Sequence, residues 1–371
     1  MNTELKINPK VLKWARQESG YSPSEIADKV RIDVTRYDEL ENTGTGITLG
    51  ELISISKACK RQIAVFFLPY VPPETKKPKD FRKLGAAKSK LSEKTLLSIR
   101  RTERYQEFLL SQNGEKYYKE KYKWISQLSQ IIGENNQNLE TVATQLRELL
   151  QFKVIEQLSD ELKVEDSYKK WRNSIETNLG INVFQFLMPQ EETQGFSYSY
   201  SYPYCVVINN AYTSTSKTFT LFHEIFHIIK NQSGLCKPDD ILFEINESEE
   251  FICNSFAGCL LIPSSEIINT KNKDKIYEYA QKFKVSSEVY LRRLFTLGIV
   301  NKNEFFELLI DIRNSVKIPE PHYSNDPIRK SMNSRGQNLF ETTIDAMNKK
   351  NISYSTASDI LGLKINHIYS I

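Results

Sequence analysis

The chain has 371 residues, 40% hydrophobic and 26% charged, a globular composition that excludes a disordered or fibrous polymer and, at this length, calls for two or three domains. Fifty Lys+Arg against 46 Asp+Glu leave a formal charge of +4, too small to imply nucleic-acid binding by bulk electrostatics, so any DNA contact has to be argued locally. No stretch approaches the roughly 18–20 apolar residues of a membrane span, the first residues lack a signal-peptide core, and five cysteines without a CxxC pair read as free buried thiols; a cytoplasmic protein is expected, in which the Asn-x-Ser triplets at Asn231 and Asn246 carry no meaning.

Residues 1–70 read as five short helices. Val11, Leu12, Trp14 and Ala15 mark the first, which Gly20 stops; Ser22 caps a second through Ile26, Ala27 and Val30; Asp33 to Leu40 is a third; Thr48 caps a fourth through Leu52, Ile55 and Ala58; Gln62 to Phe67 is a fifth. This rhythm, with Leu12-Lys13-Trp14-Ala15-Arg16, Gly20-Tyr21-Ser22 and Ala64-Val65-Phe66-Phe67-Leu68-Pro69, resembles the repressor-type (XRE-like) helix-turn-helix domain. The resemblance makes the third helix the recognition element, with Arg31, Thr35 and Arg36 as its candidate DNA contacts. Asp33, Asp38 and Glu39 share that face and repel phosphate, so docking to a partner protein is the alternative to DNA.

Residues 71–80 are proline-rich and charged, the composition of a semi-rigid linker. Residues 81–180 form a helical scaffold: a long helix from Ser92 through Leu109, then helices at about Tyr118 to Ile132, Asn138 to Phe152 and Glu161 to Leu179. Arg100, Arg101 and Arg104 read as a solvated helix face.

Residues 181–310 carry the chemistry. Ile181 to Phe186 and Cys205 to Asn209 are β-rich, and Phe196 to Tyr202 alternates as another strand with Tyr198, Tyr200 and Tyr202 on one exposed face. His223-Glu224-Ile225-Phe226-His227 then sets two histidines four residues apart on one helix face, about 5–6 Å from each other, close enough for both imidazoles to bind one zinc ion with Glu224 beside it as general base. The surrounding residues are apolar nearly all round, so three buried polar side chains need a purpose that offsets their desolvation. A third ligand is found within thirty residues: Glu250 and Asn254 share a face of an apolar helix, so that Glu250 reaches the metal and Asn254 orients a ligating histidine through its other ring nitrogen, while Glu247 and Glu249 are helix-start carboxylates.

Thr218 to His227, Glu250 to Ala257, Leu260-Leu261-Ile262-Pro263, Val285-Ser286, Arg293-Leu294 and Leu297-Gly298 together resemble the signature of the ImmA/IrrE family of metallopeptidases. The resemblance implies a gluzincin-like, cytoplasmic zinc endopeptidase that cuts a repressor-type transcription factor in a stress, mobile-element or phage-defence circuit, with His223, His227 and Glu250 as zinc ligands and Glu224 as catalytic base. The sequence departs from the family at Phe226, where glycine is usual, and at Cys253, where alanine is usual. Tyr204, Tyr212, Lys217 and Arg293 are the candidates for stabilising an oxyanion.

Residues 311–371 form a short C-terminal helical unit, broken from the rest at Pro319-Glu320-Pro321-His322 and holding helices at Gln337 to Lys349 and Ser355 to Leu361. His322 and His367 stand alone and receive no role. The expected fold class is α+β and mostly helical. Two further functions stay open: a DNA-binding regulator whose metallopeptidase-like domain senses a ligand, and a toxin-antitoxin or phage-defence component that holds a partner protein.

Overall fold

The capping signals in the sequence set most helix starts. The structure, a computed structural model, describes residues 4–75, 91–132, 138–230, 235–236, 249–315 and 326–371. The expected linker beyond Thr75, the break at Pro319 to His322, and Asn231, Asn246 and Glu247 lie outside the described residues. These residues divide into two units, one of 4–75 with 91–103, the other running from 104 onward.

In the first unit, α1 (Pro9–Glu18) starts at the Asn8 cap, and α2 (Pro23–Val30) starts at a Ser22/Glu25 capping box. The third helix, α3 (Val34–Thr43), is capped by Asp33, and α4 (Leu49–Cys59) by a second capping box of Thr48 and Glu51. The fifth helix is a 3₁₀ turn, Ile63–Phe67. A two-residue strand, β1 (Glu4–Leu5), pairs antiparallel with β2 (Ile47–Thr48). Val11, Leu12, Ala15, Ile26, Tyr37, Leu40, Leu52, Ile55 and Phe66 meet in one core, which is the burial the helical spacing called for. The helix α5 (Glu93–Asn113) contributes its residues up to 103 to this unit. Arg100 departs from the expected solvated face: it is half-buried and donates from Nη1 to the Cys59 carbonyl at 3.2 Å, and burial pushes its guanidinium down to about 10.

The second unit is built on a four-stranded sheet of order β3-β5-β4-β6. Here β3 (Asn182–Phe186) runs parallel to β5 (Cys205–Asn209), and β4 (Gly195–Tyr198) is antiparallel both to β5 and to β6 (Leu235–Cys236). Every residue of β3, β4 and β5 is buried, as expected of strands covered on both faces. Ahead of the sheet come α6 (Glu115–Lys121), α7 (Lys123–Ile132), α8 (Leu139–Leu150), α9 (Val154–Leu158) and α10 (Val164–Ser174), the last running into a π turn, Ile175–Leu179.

The helix α11 (Ser214–Ile229) lies on β4 and β5. Gly195 makes that approach possible, because a Cβ there would stand 2.8 Å from Thr220 Cγ2 and 2.7 Å from the Val207 carbonyl. Packed against α11 and α8 is α12 (Glu249–Leu261), followed by α13 (Lys273–Lys282), α14 (Ser287–Thr296) and α15 (Lys302–Ser315).

The tyrosine alternation is a correction. Tyr198 is buried, not exposed; the strand ends there, Tyr200 stands edge-on to it, and Tyr202 packs with Tyr122 and Tyr204. Tyr122 in turn stacks on Tyr118 of α6, so Tyr202 and Tyr204 join an aromatic cluster there.

At the C-terminus, α16 (Pro327–Arg335) packs on β3 and leads to α17 (Gln337–Asn348), α18 (Tyr354–Leu361) and α19 (Ile365–Ile368). A buried ion pair ties this unit down: Arg172 donates to the Asn333 and Val183 carbonyls, and Glu176 accepts from the Val183 and Gln337 amides. Gly336, at φ 82°, sits where a Cβ would stand 2.1 Å from Glu176 Oε1, so neither the backbone nor the space admits a side chain.

Candidate metal centre

Thr213 caps α11 by accepting from the Ser216 amide, and from Thr218 to Ile229 every residue of the helix is buried. Within that apolar stretch His223 and His227 project to the same side, their ring centroids 4.8 Å apart. The facing helix α12 brings Glu250 to both of them. Three separations define the centre: His223 Nε2 to His227 Nε2 is 3.1 Å, Glu250 Oε2 to His223 Nε2 is 3.0 Å, and Glu250 Oε1 to His227 Nε2 is 3.4 Å. Two donors held by one tetrahedral ion at metal–ligand distances of about 2.0–2.1 Å lie about 3.3 Å from each other. Each of these separations is near that value, with one oxygen of Glu250 toward each imidazole, so two imidazoles and one carboxylate converge at distances that fit a shared metal ion.

The backs of both rings are held from α12. His223 Nδ1 donates to Asn254 Oδ1 at 2.9 Å, and His227 Nδ1 lies 3.7 Å from Cys253 Sγ. Asn254 stands behind a histidine as its spacing from Glu250 implies, whereas Cys253 is a departure from the family pattern with no role expected of it. Cys253 follows Glu250 by three residues and so falls on the same side of the helix, but which face of α12 meets α11 is not a local signal.

Glu224 is fully buried. Burial pushes its carboxyl up to about 6, against the pull of His227, His223 and the nearby Ser197 on β4. Burial would also raise Glu250, but the two histidines prevail and hold it well below the usual carboxylate range. Two carboxylates in one site are thus driven apart, one toward proton exchange near neutrality and one toward permanent ionisation.

Phe226 packs toward α12. Its ring stacks on Phe256 at 4.3 Å, joining α11 to α12. The far end of α12 is fixed by three side chains: Arg147 donates to the Leu260 carbonyl, Gln157 to Leu261 at 3.1 Å and Arg293 Nε to Ile262 at 2.9 Å. Such donors satisfy carbonyls that a helix end leaves without partners. Arg293 also pairs with Glu140, Tyr212 donates to the Gln190 carbonyl and Lys217 to Asn210 at 2.6 Å, so these three oxyanion candidates have partners elsewhere, while the ring of Tyr204 stacks on Tyr122.

In the first unit, Arg31 is exposed at the left-handed end of α2, and Thr35 is exposed on α3 with its amide on Asp33. Arg36 turns inward, 3.3 Å from Glu51 Oε1 and 2.5 Å from the Gly46 carbonyl.

Residues 176–295 match the family model of the IrrE N-terminal-like domain, a peptidase family, and residues 12–66 match a helix-turn-helix family model. The chain carries an IrrE N-terminal-like domain behind a helix-turn-helix domain. No curated protein and no solved structure matches it. The IrrE-like match contains His223, Glu224, His227 and Glu250, and it supports a peptidase-like enzyme joined to a DNA-binding type of module. No helix among the described residues is long and apolar enough to cross a membrane.

Proposed function

We propose that this protein is a cytoplasmic zinc endopeptidase that cleaves a regulatory protein, a repressor-type transcription factor, in a stress, mobile-element or phage-defence circuit. The observation that carries the reading is the convergence of His223 Nε2, His227 Nε2 and the two Glu250 carboxylate oxygens, 3.0–3.4 Å apart in a buried setting. Zinc, when bound, supplies Lewis acidity toward a carbonyl oxygen and toward water. Glu224 takes a proton from the attacking water and delivers it to the leaving amine nitrogen, a task suited to a carboxyl that burial has brought close to neutrality. Ser197 near Glu224 sets β4 beside this base, and an extended substrate segment laid along the sheet brings a peptide bond to it. The testing experiment compares wild type and Glu224→Gln by co-expression with repressors encoded nearby: disappearance of one repressor with wild type only supports the reading, and persistence of all of them with a zinc-loaded wild type removes it.

The helix-turn-helix match favours a second reading, a DNA-binding regulator whose metallopeptidase-like domain binds a ligand or partner. Against direct base reading stands α3, where the carboxylates of Asp33, Asp38 and Glu39 are exposed and Arg36, the helix's cation, is half-buried. A footprint on the protein's own promoter that survives about 200 mM salt supports this reading, and binding that collapses there counts against it.

A further inference from the structure

A histidine that binds zinc through Nε2 must carry its proton on Nδ1, and an acceptor behind the ring fixes that tautomer. For His223 the acceptor is the amide of Asn254. His227 is buried, so bulk water is not its partner, and the group at its Nδ1 is the equally buried Cys253 sulfur at 3.7 Å, within range for a sulfur acceptor. Cys253 and Asn254 are consecutive, and Glu250 precedes them by three and four residues. One turn of α12 thereby supplies a ligand and a support for each histidine.

We propose that Cys253 is the positioning residue of His227, its sulfur accepting the Nδ1–H and holding Nε2 toward the metal. The inference rests on the zinc reading of the centre. His223, His227 and Cys253 also lie close enough together to form a metal-binding set themselves, their ligand atoms within 4.8 Å of one another. The geometry favours the supporting role, because the sulfur stands at Nδ1 while the two Nε2 atoms face Glu250. A ligand role would set Cys253 in competition with that carboxylate.

The test is a zinc affinity measured by chelator competition on the full chain for wild type, Cys253→Ala, Cys253→Ser and Cys259→Ala, together with the cobalt(II) absorption spectrum of wild type. Cys259 is a buried thiol of the same helix that accepts from Arg293, and its loss controls for the removal of a buried sulfur. Cys253→Ala is expected to weaken zinc about tenfold or more, Cys253→Ser to restore most of it through its hydroxyl acceptor, and Cys259→Ala to leave it unchanged. Equal affinities for wild type and Cys253→Ala overturn the proposal, as does a thiolate-to-cobalt charge-transfer band, which would make Cys253 a ligand. A wild type that binds no zinc removes the metal-centre reading itself and this inference with it.

Discussion

His223 Nδ1 lies 2.9 Å from Asn254 Oδ1, a bond between α11 and α12 made four residues beyond Glu250. It fixes one imidazole while the carboxylate one turn earlier faces the same ring's other nitrogen at 3.0 Å. Asn254→Ala is therefore expected to keep the fold and lower zinc affinity by about ten- to a hundredfold. Chelator competition measures it, and an unchanged affinity would remove Asn254 from the centre.

The three donors at the end of α12 make a stability prediction. Arg147 is buried and donates to Phe152, Gln157 and Leu260, groups that its removal leaves without partners. Arg147→Met should cost on the order of 3 kcal/mol in chemical unfolding. A loss under about 0.5 kcal/mol would mean that the carbonyls find other donors.

Lys217 predicts a pH dependence. Burial, helped by Arg172, pushes its ammonium down to about 8. The unfolded chain then holds this proton more tightly than the native one between about pH 8 and the ordinary lysine value, so this group adds stability as pH rises through that window. Lys217→Met lacks the increment. Its stability advantage over wild type should be largest below pH 8 and shrink toward pH 10.5 by at most about 1.4 kcal/mol per pH unit. A difference that stays constant with pH would show that Lys217 titrates normally.

The first unit separates its two arginines. Arg36 is engaged by Glu51 and the Gly46 carbonyl, whereas Arg31 is exposed. If the module binds DNA, Arg31→Ala should reduce the salt slope of binding by about 1, and Arg36→Ala should leave the slope unchanged while costing about 1 kcal/mol of stability. Fluorescence anisotropy across a salt series checks both, and a reduced slope in Arg36→Ala would place that guanidinium on phosphate.

What the sequence made legible was local. A histidine pair at helical spacing inside an apolar run, and a glutamate with an asparagine four residues later in another, stand out because burying such groups needs a reason. Capping residues such as Ser22 and Thr48 announced their helices for the same local reason. What stayed hidden depends on how elements rotate against one another. Cys253 meets His227 only because α12 turns that side to α11, and Tyr198 is buried in a strand whose every residue is covered. Arg147 and Gln157 reach carbonyls more than a hundred residues away, which no local pattern announces.

Glu224 is the proposed base of a zinc peptidase whose ligands are His223, His227 and Glu250. The most direct measurement is zinc content and repressor cleavage in Glu224→Gln beside wild type. About one zinc per chain is expected in both, with cleavage lost by at least about a hundredfold in the variant. Full zinc with undiminished cleavage would contradict it.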